Sequence, residues 1–364
     1  MQIIRPSDDV YHRQRMIRRV NEAETIPSFY YALSHLWGIS KRSRQHLWND
    51  IGEYVNDENG QPVEPVFMRP EKRSTLLGLL KDHSDSYWWI DILCARTDTP
   101  LGIMGDIYAC CLECIAMIDC EPGLISYIHA VWRRMHTTFQ TENEPLDITY
   151  YTLHEYSEFY DLLIQLFQSK WWERVWTWQE MALPFGDVRL IAEAGMCRDK
   201  ENDTMSIYHL YHWFANVIHD GLSHKRGTGA YYSKGRTVVS LISNIRKARN
   251  SNTLRIRKKR SPRDLYFLVK SFGQSTRICK DSADYVYGVL GMLQINIPRM
   301  ADPVAVWKTF LIALNYYIRD IKYETFDGFR IAGISDRAYR FNILKARDMA
   351  FVYKDLFVLE VSDK

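Results

Sequence analysis

Eight consecutive residues, Tyr87-Trp88-Trp89-Ile90-Asp91-Ile92-Leu93-Cys94, hold a single charged side chain. So short and continuously apolar a run predicts a strand covered on both faces, as in the interior of a parallel sheet. Two other runs repeat the pattern. Phe29-Tyr30-Tyr31-Ala32-Leu33-Ser34 lies between Pro27 and Gly38, and Cys114-Ile115-Ala116-Met117-Ile118 stops at Asp119. Between the last two strands Pro100 opens a helix, along which Ile103, Ile107, Cys110, Cys111 and Cys114 recur at helical spacing. Strand, helix, strand in this order predicts a doubly wound, mostly parallel α/β sheet.

The 364 residues suit two domains, or one large domain with a helical extension. Residues 1–26 read as a polar tail or short helix, 27–200 as the α/β core, and 201–364 as a mainly helical C-terminal region. A basic stretch, 249–262, interrupts that region. Within the core, helices are expected at 41–55, 124–136 and 155–168 and over the second half of Trp171–Glu180, with a short strand at Val188–Ala192. Asp57–Pro62 carries the Asn-Gly and Pro punctuation of a turn.

Lys plus Arg number 47 against 44 Asp plus Glu, a net charge of +3. Such a chain is not built to coat nucleic acid or an anionic membrane. The run Arg255-Ile256-Arg257-Lys258-Lys259-Arg260 therefore reads as a solvated loop, with a nuclear-localisation or nucleic-acid patch as the alternative. Seven cysteines is an odd count, and five of them crowd between Cys94 and Cys120. That is no secreted disulfide framework. Packed thiols explain the cluster better than a metal site, and no metal ligand set is assigned. The charged N-terminus lacks the apolar core of a signal peptide, and no stretch of about 18 apolar residues occurs. The expectation is a cytoplasmic protein with no membrane partner. The chain also lacks a Walker A loop, G-x-G-x-x-G, G-x-S-x-G and H-E-x-x-H, against P-loop NTPases, ordinary Rossmann dehydrogenases, α/β-hydrolases and zincins.

Three segments together resemble the fungal heterokaryon-incompatibility (HET) domain. Tyr31-Ala32-Leu33-Ser34-His35-Leu36-Trp37-Gly38 is similar to the family's Y-x-x-L-S-Y-x-W-G opening. Trp89-Ile90-Asp91-Ile92-Leu93-Cys94, followed by Met104-Gly105-Asp106-Ile107-Tyr108, resembles its W-I-D-x-x-C strand and the M-x-x-I-Y helix behind it. Trp172-Glu173-Arg174-Val175-Trp176-Thr177-Trp178-Gln179-Glu180 is similar to its W-x-R-x-W-x-x-Q-E element. A looser echo, Asp281 to Gly291, resembles a D-x-x-D-x-x-Y-x-x-L-G-L segment. The chain departs from the family after Cys94, where Ala95-Arg96-Thr97-Asp98-Thr99-Pro100-Leu101 replaces I-N-Q-x-D, and at His35, where Tyr is commoner. The resemblance implies fungal self/non-self recognition leading to growth arrest or cell death. HET domains in turn look like TIR domains. Both have flavodoxin-like sheets, and some TIR domains cleave NAD with the Glu of a W-x-x-x-E helix, a spacing that Trp176 and Glu180 reproduce.

Glu180 is the candidate catalytic carboxylate. Four residues apart on a helix, it and Trp176 share a face, and a carboxylate beside an indole is partly desolvated. Breaking the nicotinamide–ribose bond builds positive charge on the sugar, which a carboxylate stabilises. The structural alternative is a helix-start Glu bonded to Arg174 or to backbone. Ser34, His35, Trp37 and Gly38 follow the first strand, where ligands bind in open α/β sheets. They read equally as a tight turn with a core Trp. Ser34 and His35, being adjacent, face opposite sides of a strand and form no nucleophile–base pair. Asp91 needs partners if buried, from Arg174 or backbone amides. The expected ligand is a nucleotide-like small molecule, with NAD as substrate and no permanently bound cofactor, and the expected partner is a second copy or another incompatibility protein. The rival expectation is a non-enzymatic interaction module.

Overall fold

The computed structural model describes residues 2–3, 30–37, 46–57, 60–83, 86–95, 99, 101–141, 148–195, 199, 201–212, 229–253, 261–321 and 329–361. Its strands are β1 (Gln2–Ile3), β2 (Tyr30–Ser34), β3 (His46–Trp48), β4 (Val66–Met68), β5 (Tyr87–Ile90), β6 (Glu113–Ile118), β7 (Asp187–Ala192), β8 (Thr204–Ser206), β9 (Phe329–Ile334) and β10 (Phe357–Val361). Its α-helices are α1 (Arg73–Asp82), α2 (Asp91–Cys94), α3 (Leu101–Cys110), α4 (Leu124–Thr141), α5 (Ile148–Phe167), α6 (Trp176–Ala182), α7 (Gly229–Thr253), α8 (Pro262–Phe272), α9 (Asp284–Leu293), α10 (Pro303–Asp320), α11 (Asp336–Arg340) and α12 (Met349–Tyr353). The expected tail or helix over 1–26, apart from residues 2–3, and the basic run 255–260 lie outside the described residues.

The main sheet has the order β1-β5-β2-β6-β7-β8. Every neighbouring pair is parallel except β7 with β8. After the edge strand β1, the chain enters the middle of the sheet at β2, runs out to β5, returns across β2 to β6 and continues to β7. The winding thus reverses at β2. β2 and β6 have parallel neighbours on both sides, and apart from Ser34 at the end of β2 and Glu113 at the start of β6 their side chains are mostly apolar on both faces. Cys114 through Ile118 are all fully buried, as are Trp88, Trp89 and Ile90. Each large apolar side chain so buried contributes about 2 kcal/mol, so these strands anchor the fold.

Two local expectations are corrected. The strand at 87–94 ends at Ile90, and Asp91–Cys94 turn into the one-turn helix α2. The Asp91 carboxylate accepts the Ile92 N–H at 2.8 Å, turning the backbone at the strand's end. Asp91 therefore stands at the carboxyl edge of the sheet, not inside it. The helix expected over 41–55 is instead β3, paired antiparallel with β4, and a 3₁₀ turn at Ile51–Glu53. Trp48, Ile51 and Val55 are buried while His46 and Leu47 are exposed. That pattern mimics a helical stripe, but a strand pair followed by a tight turn serves it. The cysteines also divide: α3 ends at Cys110, Cys111 follows it, and Cys114 belongs to β6.

The C-terminal region is helical from α7 to α10 and then closes with the antiparallel pair β9/β10. Its helices start on ordinary signals. Ser261 and Asp264 form a capping box before α8, and Asp302 caps the Val304 and Ala305 N–H groups of α10. α9 packs on both α3 and α6, which ties this region to the sheet. Among the described residues no helix is long and apolar enough to cross a membrane.

Candidate functional site

The carboxyl ends of β2 and β5 and the start of α6 bring the sequence candidates together. Ser34, the last residue of β2, is 1% exposed, and its hydroxyl donates to the Glu180 carboxylate. The same oxygen accepts the Trp171 indole N–H at 2.8 Å. Glu180 is itself only 4% exposed. Burial pushes its carboxyl up to about 7, helped by the nearby negative charge of Asp91, while Ser34, Arg174 and Arg277 pull the other way.

Asp91 behaves oppositely. Burial pushes its carboxyl up, but His35, the Trp37 indole and Arg174 outweigh that and hold it below the ordinary value. Trp37 donates its indole N–H to Oδ2 at 2.7 Å, and His35 Nε2 lies 3.0 Å from Oδ1. Trp37 is half exposed, at 49%, and forms the outer wall of this group. His35 is fully buried; that burial and the Lys72 ammonium lower its pKa, so its imidazole is neutral. Asp91 and Glu180 are thus two carboxylates whose pKa values their surroundings drive apart.

Arg174 donates from its guanidinium to the His35 carbonyl at 3.1 Å and acts on both carboxylates through its charge rather than by direct pairing. Trp176 opens α6 and bonds Asp284 at the start of α9. Gly38 and the segment 96–98 lie outside the described residues.

Three residues of the site escaped the sequence reading. Lys72, fully buried, places Nζ 2.6 Å from His35 Nδ1 and donates to the Leu36 carbonyl at 2.5 Å. Within Glu71-Lys72-Arg73 it looks like part of a solvated charge run. Arg277, also buried, donates to the Arg174 carbonyl at 2.7 Å and to Thr177, and lies over the Trp178 ring at 4.7 Å. Trp171 was visible as an aromatic but not as the donor to Ser34. Among the described residues the cysteine thiols take no part. Burial pushes Cys110 up to about 11 and Cys120 up to about 12, with Cys111 and Cys114 also raised, so all four stay protonated.

The stretch that carries this geometry is also the stretch with a known pattern. Residues 30–180 match the family model described as heterokaryon incompatibility protein (HET). This part of the chain is a HET domain. Comparison with curated proteins and with solved structures gave no match. The HET match begins on the first residue of β2 and ends on Glu180. The HET domain's own carboxylate is nonetheless faced by Arg277, well beyond that match.

Proposed function

We propose that this HET-domain protein acts in heterokaryon incompatibility as a self/non-self effector, and that its strand-end site cleaves the nicotinamide–ribose bond of NAD when copies of the chain associate. The carrying observation is the pair Glu180 and Asp91, one carboxyl raised and one lowered, on either side of Ser34-His35 at the carboxyl end of β2. The reversal of winding at β2 supports a nucleotide site there, since open α/β sheets bind ligands at such switch points. The order β5-β2-β6-β7 also supports the flavodoxin-like, TIR-like reading.

In the proposed reaction the bond between ribose C1′ and the nicotinamide nitrogen breaks, and its electron pair leaves with nicotinamide as a neutral molecule. No proton is needed for that departure. The positive charge left on the ribose is met by ionised carboxylate, water adds to C1′, and the water's proton passes to the carboxylate. Glu180 supplies this anion once deprotonated, so turnover rises as pH passes about 7. Trp37, half exposed, offers the flat face for the nicotinamide or adenine ring. In the single chain Ser34 occupies Glu180, and association of copies frees it.

That same closure favours a second reading, a non-enzymatic module acting through assembly with itself or with another incompatibility protein in the cytoplasm. Nicotinamide release from NAD, followed with the purified chain and with deliberately clustered chain, separates the two. The enzymatic reading expects release by the clustered wild type and a loss of about 100-fold or more in Glu180→Gln. Equal rates in that variant would remove Glu180 from the mechanism. No turnover in any state of assembly would leave the interaction module.

A further inference from the structure

The buried ammonium of Lys72 has no role in the reaction above, yet it ends a continuous chain of polar contacts that leads to Asp91. Lys72 Nζ sits 2.6 Å from His35 Nδ1, and His35 Nε2 sits 3.0 Å from Asp91 Oδ1. Asp91 Oδ1 also receives the Ile92 N–H at 2.8 Å, and Oδ2 receives the Trp37 indole at 2.7 Å. Lys72 and His35 are shut away from solvent, and only Trp37 is half exposed. The arrangement is a buried amine, a buried imidazole and a carboxylate in line, ending at the surface of the proposed site.

An imidazole here has two choices. A hydrogen on Nδ1 has an acceptor ready, the Leu36 carbonyl 3.1 Å away. Nε2 would then present a lone pair to Asp91 Oδ1 at 3.0 Å, two acceptors in repulsive contact. A hydrogen on Nε2 faces the Asp91 carboxylate at 3.0 Å and leaves Nδ1 bare, which suits a donor beside it. Lys72 is that donor, and its second hydrogen takes the Leu36 carbonyl at 2.5 Å, removing the competing acceptor. We propose that Lys72 is a positioning residue that holds His35 as the neutral Nε2–H tautomer and so fixes Asp91 as an aimed carboxylate. The importance of Asp91 rests on the functional reading above; the tautomer does not.

The charges around the chain agree with this. Burial pushes the Lys72 ammonium down to about 7; Glu193 after β7 and Asp91 after β5 hold it up, while Arg69 after β4 and Arg174 before α6 push it further down, so it is charged across the range in which His35 takes a second proton. Glu193 is itself paired with Arg69. His35 is faced by Lys72 and Asp91. The positive neighbour opposes a second proton on the imidazole and the negative neighbour favours it, so removing Lys72 tips the balance toward the imidazolium.

The test is nitrogen NMR of the full chain labelled in histidine and lysine. In the wild type, His35 is expected neutral at pH 7 with its hydrogen on Nε2 only. In Lys72→Met the His35 titration is expected to move upward by about one pH unit or more, with both ring nitrogens protonated at the acid end. A hydrogen on Nδ1 in the wild type, or an unchanged His35 titration in a folded Lys72→Met, overturns the proposal. Should the variant not fold, coupling across the hydrogen bond between Lys72 Nζ and His35 Nδ1 in the wild type is expected, and a resolved Nζ signal without it overturns the assignment. None of these readings depends on NAD turnover, so a chain that releases no nicotinamide still decides the question.

Discussion

Glu180 carries a cost that shows up as pH-dependent stability. Its folded carboxyl titrates near 7, above the ordinary value of 4.5. Between those limits the folded chain holds a proton that the unfolded chain has lost, so stability contributed by this residue falls as pH rises from about 4.5 to about 7 and is flat beyond. Glu180→Gln removes the titration. The stability of that variant relative to wild type is expected to improve by roughly 3 kcal/mol between pH 4 and pH 8, read from urea unfolding at both pH values. A constant difference would mean that Glu180 is not held protonated in the fold. Much of this site was legible one residue at a time. Ser34, His35, Trp37, Asp91, Arg174 and Glu180 all gather within one network, because the first four lie at or just past strand ends and α6 with the residues before it packs across those ends. Lys72, Arg277 and Trp171 were not legible, since a buried cation in a charged stretch looks like a solvated one until the backbone folds over it.

The packing of α3 on α9 depends on two glycines. A Cβ on Gly291 would stand 2.5 Å from the Gly105 Cα and 2.8 Å from Gln179 Oε1. No side chain fits there unless the helices part. Gly291→Ala is expected to cost about 3 kcal/mol or more, beyond what its higher helix propensity returns. Gly78→Ala on α1, with nothing within 4 Å, is the control and is expected to stabilise by about 0.5–1 kcal/mol. Thermal unfolding of the two variants checks this, and similar shifts for both would show that the helices have room. The element boundaries that misled were those where a single side chain redirects the backbone. The Asp91 carboxylate, bonding its own next N–H, ends β5 four residues before the apolar run stops. Hydrophobicity alone could not register that turn. The parallel strands were plain because burial on both faces leaves no polar alternation to confuse with a helix.

Taken whole, the molecule does not stop where the family pattern stops. Arg174 and Ile278 pair in a short parallel bridge, with the Val175 N–H donating to the Ile278 carbonyl at 3.2 Å and the Ile278 N–H to the Glu173 carbonyl at 2.6 Å. α9 then buries Val286, Val289, Leu290 and Leu293, about 2 kcal/mol each, or roughly 8 kcal/mol together. That is comparable to the entire stability of an ordinary domain. A chain cut to 27–200 is expected to lack the cooperative unfolding transition of the full chain, as near-ultraviolet circular dichroism in urea would report; a sharp transition would show that the first part stands alone. The sheet itself imposes a delay on the newly made chain. Its parallel ladders join Tyr30 to Tyr87, Tyr31 to Glu113 and Glu113 to Asp187, partners separated by long stretches of polypeptide. Long loops must close before any of these ladders returns a reward, so assembly is slow and leaves Trp88, Trp89 and the β6 apolar run uncovered meanwhile. For this chain the hazardous interval is the one spent on the ribosome and just after release, when sticky strands wait for mates that arrive late.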